Sequence, residues 1–284
     1  MPTEDGGLDL FDLLYDRVVH LTPDEVHALD AGDPTLRQRL EALVLLEGEH
    51  ADTLRHQLWT RRRAEVGPTN APAVGQVDWT EAEAWPELVA GPWRDPERLR
   101  RLAESRAAGC TFLELPGFVT AAAAHRIAAV ARALPFERMD TEWVQGERRL
   151  LVGDELQTWT DFLSDERTRR LFGGLLGRHL PELITANVWR LSEGDGMPVH
   201  ADGRRYHGTV SLGLSEGWTA AHGGAIATGA PVNERFDVRH RWLPHAGDLL
   251  LFAPTRTSWH AVEPVAKGPR LSVTAWWTGG EVSS

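Results

Sequence analysis

The segment from Arg270 to Trp277 constrains the fold of this chain more than any other, because its side chains alternate with period two. One face of the segment carries Arg270, Ser272, Thr274 and Trp276, and the other carries Leu271, Val273, Ala275 and Trp277. Such alternation predicts a half-buried β-strand. An arginine on a buried face requires an anion, and its planar fork matches a carboxylate. We therefore predict a β-rich domain that binds a carboxylate near Arg270.

A second pattern, His200-Ala-Asp202, points to a metal. On a strand, residues i and i+2 project from the same face, so the two side chains can reach one ion together. His260, from a distant strand, would complete a set of two histidines and one carboxylate. This set is the facial triad of non-haem Fe(II) sites, which leaves the opposite face of the metal open. We predict that His200, Asp202 and His260 are the metal ligands and form the catalytic centre.

From about residue 111 to residue 279 the chain resembles the Fe(II)/2-oxoglutarate-dependent oxygenase superfamily, nearest to its prolyl-hydroxylase-like branch. The resemblance rests on ordered elements: the strand and helix after Phe112, the approach to the first two ligands, a double glycine, the approach to His260, and Arg270-Leu-Ser272. These are carried by residues 112–118, 188–194 with 200–202, 223–224, 246–252 with 259–265, and 270–272.

The resemblance implies three cofactors and cosubstrates, namely Fe(II), 2-oxoglutarate and O₂. It implies that Arg270 and Ser272 bind the far carboxylate of 2-oxoglutarate, which is converted to succinate and CO₂ while a C–H bond of the substrate is hydroxylated. Family members often carry a tyrosine on the strands beside the ligand loop, and here Thr209 and Ser211 take that place as expected co-substrate contacts. Related halogenases have Ala or Gly at the carboxylate position, so Asp202 favours hydroxylation, with desaturation and ring formation still open.

Composition narrows the class of protein. The chain has 284 residues, one cysteine and no apolar run long enough for a transmembrane helix, and its first residues lack a signal sequence. A cytoplasmic protein without disulfides and without a membrane partner is the simplest interpretation. The net charge is −11, of which residues 1–52 carry −10, from 13 acidic and 3 basic side chains. No basic face for nucleic acid is evident.

Residues 8–66 are predicted to be helical, with a capping box at Thr22-Pro-Asp-Glu25 and a second helix start at Asp33-Pro34. A linker is predicted at residues 67–75, and further helices are predicted to start at Asp95-Pro96, Thr120 and Ser164. We expect a helical N-terminal extension over residues 1–78 and the oxygenase domain over residues 79–284. The extension would buttress the barrel, recognise substrate or form a homodimer. The expected fold class is α+β, a double-stranded β-helix (jelly-roll, cupin-like) core with flanking helices.

The substrate is expected to be a peptide or an amino-acid-derived small molecule in natural-product biosynthesis or modification. Four side chains near the ligand strands are candidate substrate contacts, namely Trp189, Arg204, Trp218 and Trp242. Two alternatives remain open. One is a non-catalytic barrel that binds a partner, and the other is a cupin-type metalloenzyme that needs no 2-oxoglutarate.

Overall fold

Two antiparallel sheets dominate the computed structural model of the chain. The structure describes residues 8–12, 17–36, 40, 76–106, 112–141, 144–151, 154, 156–182, 184–202, 206–232, 235–255 and 258–278. Contacts divide the chain into two compact units, residues 1–67 and residues 68–284. None of the described helices is long and apolar enough to cross a membrane.

The first unit contains a β-hairpin, formed by β1 (Leu8–Asp12) and β2 (Arg17–Leu21), and then helix α1 (Pro23–Asp30). The predicted capping box at Thr22 and Glu25 is confirmed, with both reciprocal hydrogen bonds present. The expectation of helix is wrong for residues 8–12 and 17–21. Val18 and Val19 lie in β2, and β-branched residues favour strands because their χ1 rotamers are restricted in helices.

A small apolar cluster lies inside the first unit. Leu21, at the end of β2, is fully buried with Leu36 and Leu40, and three residues of α1 pack against them. Asp33 accepts hydrogen bonds from the backbone N–H groups of Thr35 and Leu36, as a helix N-cap does. Leu36 and Leu40 are spaced four residues apart, as on one face of a helix, and the predicted helical extension was expected to bury such a face against the barrel or a second subunit. Instead, they are buried within their own unit.

The second unit begins with helical elements. Two short 3₁₀ helices, Trp79–Ala84 and Gly91–Arg94, precede α2 (Pro96–Arg106), α3 (Ala121–Ala133), α4 (Gln157–Ser164) and α5 (Glu166–Leu176). The helix starts predicted at Asp95-Pro96 and Thr120 are confirmed. The prediction that Ser164 caps α5 is wrong, because Ser164 is the last residue of α4. Asp165 caps α5 instead, accepting from Arg167 N and Thr168 N.

The major sheet has seven strands in the order β3-β11-β8-β13-β6-β5-β4. Their bounds are Phe112–Leu115 (β3), Glu137–Thr141 (β4), Val144–Leu150 (β5), Ile184–Leu191 (β6), Tyr206–Gly213 (β8), Leu249–Phe252 (β11) and Arg270–Thr278 (β13). The minor sheet has the order β10-β9-β12-β7, with bounds Met197–His200 (β7), Ile226–Val232 (β9), Arg235–Trp242 (β10) and Trp259–Val262 (β12). These two sheets form the predicted double-stranded β-helix.

The two faces of the major sheet have different neighbours. On the outer face, Val188, Val273 and Trp277 join the large core that contains the helices. On the inner face, Leu191 and Phe252 pack with residues of the minor sheet such as Val262 in a second, smaller core. The polar side of β13, which includes Arg270, therefore faces the interior between the sheets, where a site can be shielded from water.

Candidate metal centre

His200 and His260 are direct cross-strand partners on β7 and β12. Their ring centroids lie 4.2 Å apart. In each ring Nδ1 lies on a backbone carbonyl two residues earlier, 2.8 Å from Pro198 O and 2.9 Å from Ser258 O. Because a carbonyl can only accept, Nδ1 carries the proton, and both Nε2 atoms are left as lone-pair ligands.

Asp202 completes the cluster. Its Oδ1 lies 3.9 Å from Nε2 of His200 and 3.9 Å from Nε2 of His260. The ligand atoms of the three residues all lie within 4.8 Å of one another. The other oxygen, Oδ2, accepts hydrogen bonds from the Thr209 hydroxyl and, at 3.1 Å, from the Trp276 indole N–H. Asp202 can therefore offer one oxygen to a metal while two donors hold the other.

The electrostatics of the cluster suit a cation. The His260 side chain is buried, and desolvation, followed by repulsion from His200, lowers its pKa to about 4. His260 is therefore neutral at pH 7, which is the form that coordinates a metal. Two imidazoles and one carboxylate match the donor set of a non-haem Fe(II) site, so the residues present fit this metal.

Arg270 lies on the inner face of β13 and is 1% exposed. Its Nε donates to Gly224 O at 2.8 Å and its Nη1 donates to Ser272 Oγ at 2.8 Å. Burial lowers its pKa to about 10, so the guanidinium stays charged at pH 7. No carboxylate of the described residues pairs with it. A buried cation without a counter-ion is energetically costly, so the geometry around Arg270 fits a bound anion.

The double glycine shapes the anion end of the site. Gly223 and Gly224 have φ values of 65° and 66°, a conformation that favours glycine. A Cβ on Gly223 would lie 2.4 Å from Pro264 O, and one on Gly224 would lie 3.0 Å from Arg270 Cδ. Glycine at both positions therefore lets the backbone approach Arg270 closely enough for the Gly224 carbonyl to orient it.

The two hydroxyl residues predicted to contact the co-substrate, Thr209 and Ser211, have different hydrogen-bond partners in the structure. Thr209, 1% exposed, donates to Asp202, which gives it a role in orienting a metal ligand. Ser211, 2% exposed, lies on the same inner face with its Oγ 3.4 Å from Thr274 Oγ1. Ser272 is hydrogen-bonded to Arg270, as the resemblance implied. Contact of any of these residues with a co-substrate stays a prediction.

Three of the predicted substrate contacts are tryptophans that the structure places in the interior. Trp218 and Trp242 are 5% and 3% exposed and belong to the smaller core between the sheets. Trp218 also donates to Gly223 O at 2.9 Å, which supports the double glycine. Trp189, 9% exposed, lies opposite Ser272 on β6. Arg204 lies outside the described residues.

Trp276 lies at the site, although its position in the sequence predicted only that it lies on the polar face of a strand. Its contact with Asp202 depends on strand β13 pairing with β8 so that Trp276 faces Thr209. The only signal in the sequence was its position on the face that carries Arg270, six residues along the same strand.

Comparison with known proteins agrees with this geometry. Residues 186–278 match the family model of the 2OG-Fe(II) oxygenase superfamily. No curated protein matches the chain. The fold is similar to that of a Pseudomonas putida prolyl-4-hydroxylase, with 22% identity, coverage of 63% of this chain and 99% of that one, and a TM-score of 0.53. It is also similar to a prolyl hydroxylase from Trichoplax adhaerens, solved in complex with a hypoxia inducible factor oxygen degradation domain peptide fragment. The identity is 19%, coverage is 64% of this chain and 91% of that one, and the TM-score is 0.52.

The matched segment contains the three metal-ligand candidates, their two supporting donors and Arg270. The resemblance found in the sequence is confirmed, and so is the double-stranded β-helix fold. The family match over residues 186–278, together with the metal-ligand cluster inside it, therefore identifies this segment as a 2OG-Fe(II) oxygenase domain, of the class that uses Fe(II), 2-oxoglutarate and O₂.

Proposed function

We propose that the protein hydroxylates a C–H bond of a peptide or amino-acid-derived substrate in the biosynthesis or modification of a natural product. The observation that carries this proposal is a metal-ligand cluster facing a buried Arg270 that pairs with no carboxylate of the described residues. A dicarboxylate such as 2-oxoglutarate can satisfy both, with one end at the metal and the other at the guanidinium.

Each residue of the cluster then has a defined task. His200, Asp202 and His260 hold Fe(II), which, once bound with 2-oxoglutarate, supplies the activation of O₂ for attack on a C–H bond. Arg270 and Ser272 bind the far carboxylate of 2-oxoglutarate, and Thr209 and Trp276 fix the orientation of Asp202. The apolar core between the sheets excludes water from the co-substrate.

One observation supports the proposed substrate class, and another supports the proposed reaction type. The Trichoplax adhaerens neighbour was solved with a peptide fragment, and its fold is similar to that of this chain. The carboxylate at position 202 is intact, which favours hydroxylation over halogenation in the family that the sequence resembles. A cytoplasmic location and a homodimer formed through residues 1–66 are further proposals, which rest on the single cysteine and on the acidic N-terminal segment.

The direct test is formation of succinate from 2-oxoglutarate by the full chain with Fe(II), without and with candidate peptides and amino acids. We expect slow turnover alone and faster turnover with a substrate. The matched control is His260→Ala, which should give neither. Substrate oxidation that proceeds equally well without 2-oxoglutarate would favour the cupin-type alternative. Absence of both 2-oxoglutarate binding and turnover would favour the non-catalytic barrel.

A further inference from the structure

Asn187 is a buried polar residue that the oxygenase chemistry described above does not use. It lies on β6 and is 8% exposed. Its Oδ1 is buried and has no hydrogen-bond partner among the described residues. A buried amide oxygen without a partner costs free energy comparable to a lost hydrogen bond. A bound ligand can supply the missing donor to such a group.

The strand register places Asn187 inside the barrel. Asn187 lies opposite Thr274 on β13, on the face that also carries Arg270. Its neighbours Ala186 and Val188 point the other way, into the core beneath the helices. The unpartnered oxygen therefore belongs to the interior face of the sheet, on the side where the metal cluster lies.

Strand β5, which adjoins β6, adds a cation and an apolar group to the same face. Leu150 is the cross-strand partner of Asn187, and Arg148 is the partner of Trp189. The Nε of Arg148 is buried and has no hydrogen-bond partner among the described residues, and none of their carboxylates pairs with this arginine. Leu150 is 40% exposed, although it is a large apolar side chain.

The opposite face of these strands carries an ion pair. Glu147 and Arg190 face each other across β5 and β6, with Arg190 Nε 2.6 Å from Glu147 Oε2. Arg190 also stacks over Phe136. Glu147 therefore gives Arg190 a carboxylate partner on the outer face, whereas Arg148 on the inner face pairs with no described carboxylate.

The patch is close to the metal cluster. Thr274, the cross-strand partner of Asn187, lies two residues along β13 from Trp276, which donates to Asp202. One cross-strand step of about 5 Å and two residues along a strand, about 7 Å, put the backbone of Asn187 roughly 8 Å from that of Trp276. A molecule the size of an amino acid spans this distance. A substrate held at the patch can present a C–H bond to the metal.

We propose that Arg148, Leu150 and Asn187 form the substrate subsite, and that the substrate carries a free carboxylate next to an N–H group. The carboxylate binds Arg148, the N–H donates to Oδ1 of Asn187, and an apolar portion covers Leu150. An N-acylated amino acid and the C-terminal residue of a peptide share this chemistry. The inference deepens the proposed function and rests on it. Arg270 is separate from this subsite, because it is buried deeper on β13 and serves the co-substrate.

The test uses the full chain loaded with Zn(II), which is redox-inert, and saturated with 2-oxoglutarate. The probes are the N-acetyl derivatives of glycine and of the L-amino acids other than proline, whose acetylated form has no N–H, each as the carboxylate and as the matching carboxamide. Binding is measured by saturation-transfer-difference NMR and titrated for the strongest probes. The variants are Arg148→Gln, Arg148→Lys and Asn187→Leu. The control is Arg149→Gln, which removes the neighbouring arginine from the opposite face of the strand.

We expect at least one carboxylate probe to bind and its carboxamide to bind about tenfold or more weakly, as the loss of a charge-assisted contact predicts. Arg148→Gln should weaken the carboxylate probe to the same extent, Arg148→Lys should recover part of the affinity, and Arg149→Gln should not change it. Asn187→Leu should weaken carboxylate and carboxamide alike, since the N–H contact is common to both.

Three results would overturn the inference: equal affinity for carboxylates and carboxamides, unchanged probe binding in Arg148→Gln, or no carboxylate probe bound at all. Loss of 2-oxoglutarate binding in Arg148→Gln would also overturn it, because the patch would then belong to the co-substrate. Titration of 2-oxoglutarate against the wild-type chain is measured separately. If the wild type does not bind it, the proposed function fails, whatever the probes show.

Discussion

At the scale of single residues, Asp202 divides its two oxygens between two tasks. Oδ1 points to the two Nε2 atoms, whereas Oδ2 is held by Thr209 and Trp276. Hydrogen-bond donors that hold the other oxygen of a ligating carboxylate fix its direction, and such contacts contribute about 10–100-fold to metal affinity or activity. Trp276→Phe removes one donor while keeping most of the ring volume.

We expect Trp276→Phe to weaken Fe(II) or Zn(II) binding by roughly tenfold with the fold retained. The measurement is metal competition against a chromophoric chelator, with circular dichroism as the check on folding. Ser211→Ala is the control, because Ser211 lies on the same face and does not contact Asp202. Equal metal affinity in Trp276→Phe and wild type would mean that the indole contact does not position the carboxylate.

His260→Ala should abolish stoichiometric iron binding and all iron-dependent turnover, because only two of the three protein ligands, His200 and Asp202, would remain. His260 is buried among Phe112 and Phe252, so the variant also loses some packing. We expect a folded protein with a lower melting temperature. Iron content by elemental analysis and succinate formation are the two measurements. Normal turnover in this variant would refute the assignment of the triad.

Substitution of Arg270 tests whether its guanidinium binds 2-oxoglutarate. Arg270→Ala should weaken 2-oxoglutarate binding by about tenfold or more, because a charge-assisted hydrogen bond to a buried anion contributes about 1.5–3 kcal/mol. Arg270→Lys should restore only part, as the two-pronged contact is lost. Isothermal titration of 2-oxoglutarate into the Zn(II)-loaded protein measures both. Unchanged affinity in Arg270→Ala would remove 2-oxoglutarate from the assigned site.

The triad and Arg270 could be predicted from sequence because strand alternation places i and i+2 together and because a buried arginine demands an anion. The hydrogen-bond donors that hold Asp202 could not be predicted in this way. Thr209 and Trp276 meet Asp202 through the pairing of β8 with β13, and strand register is a tertiary property that period-two alternation does not determine. The same holds for Asn187, whose missing partner is visible only once its neighbours are known.

At the scale of elements, the hairpin of β4 and β5 shows what a local pattern leaves out. Residues 137–150 contain three arginines and no clear alternation of apolar side chains, so no strands were predicted there. They become strands because β6 offers a free edge, and the Glu147–Arg190 pair crosses that edge. Helix ends were predicted better, since capping is local. The predicted cap of α5, Ser164, lies one residue before the observed cap, Asp165, which is within the usual uncertainty of helix boundaries.

The turn at the double glycine gives a prediction with a close control. Gly223 and Gly217 have nearly equal φ values, 65° and 64°, but a Cβ at Gly217 meets nothing within 4 Å, whereas one at Gly223 lies 2.4 Å from Pro264 O. Gly217→Ala should cost about 1–2 kcal/mol of folding free energy for the left-handed backbone alone. Gly223→Ala should cost more.

Gly223→Ala should also weaken 2-oxoglutarate binding, because the adjacent Gly224 carbonyl orients Arg270. Urea unfolding and 2-oxoglutarate titration of both variants measure the two effects. The same loss of stability in both variants, with no change in 2-oxoglutarate affinity, would show that the close approach to Pro264 has no influence on the site.

At the scale of the whole molecule, the predicted helical extension proved to be a mixed unit. Residues 8–12 and 17–21 form a hairpin, and Leu21 from that hairpin buries Leu36 and Leu40. Helical periodicity identified the leucines correctly but could not identify what covers them, because the covering residue comes from a strand. The predicted boundary at residue 78 would also remove Val77, which packs against the large core of the second unit, and Asp78, which caps its first 3₁₀ helix.

The last prediction follows from this division. A chain that begins at Pro68 keeps Val77, Asp78 and every described residue of the metal and co-substrate sites. It should therefore fold, bind Fe(II) and bind 2-oxoglutarate with wild-type affinity. If residues 1–67 recognise substrate, its apparent KM for the true substrate should rise while turnover of 2-oxoglutarate alone is unchanged. If they form a dimer, sedimentation should show a smaller species than the full chain. A monomeric truncation of a monomeric full chain, with wild-type turnover on the true substrate, would exclude both roles for the N-terminal unit.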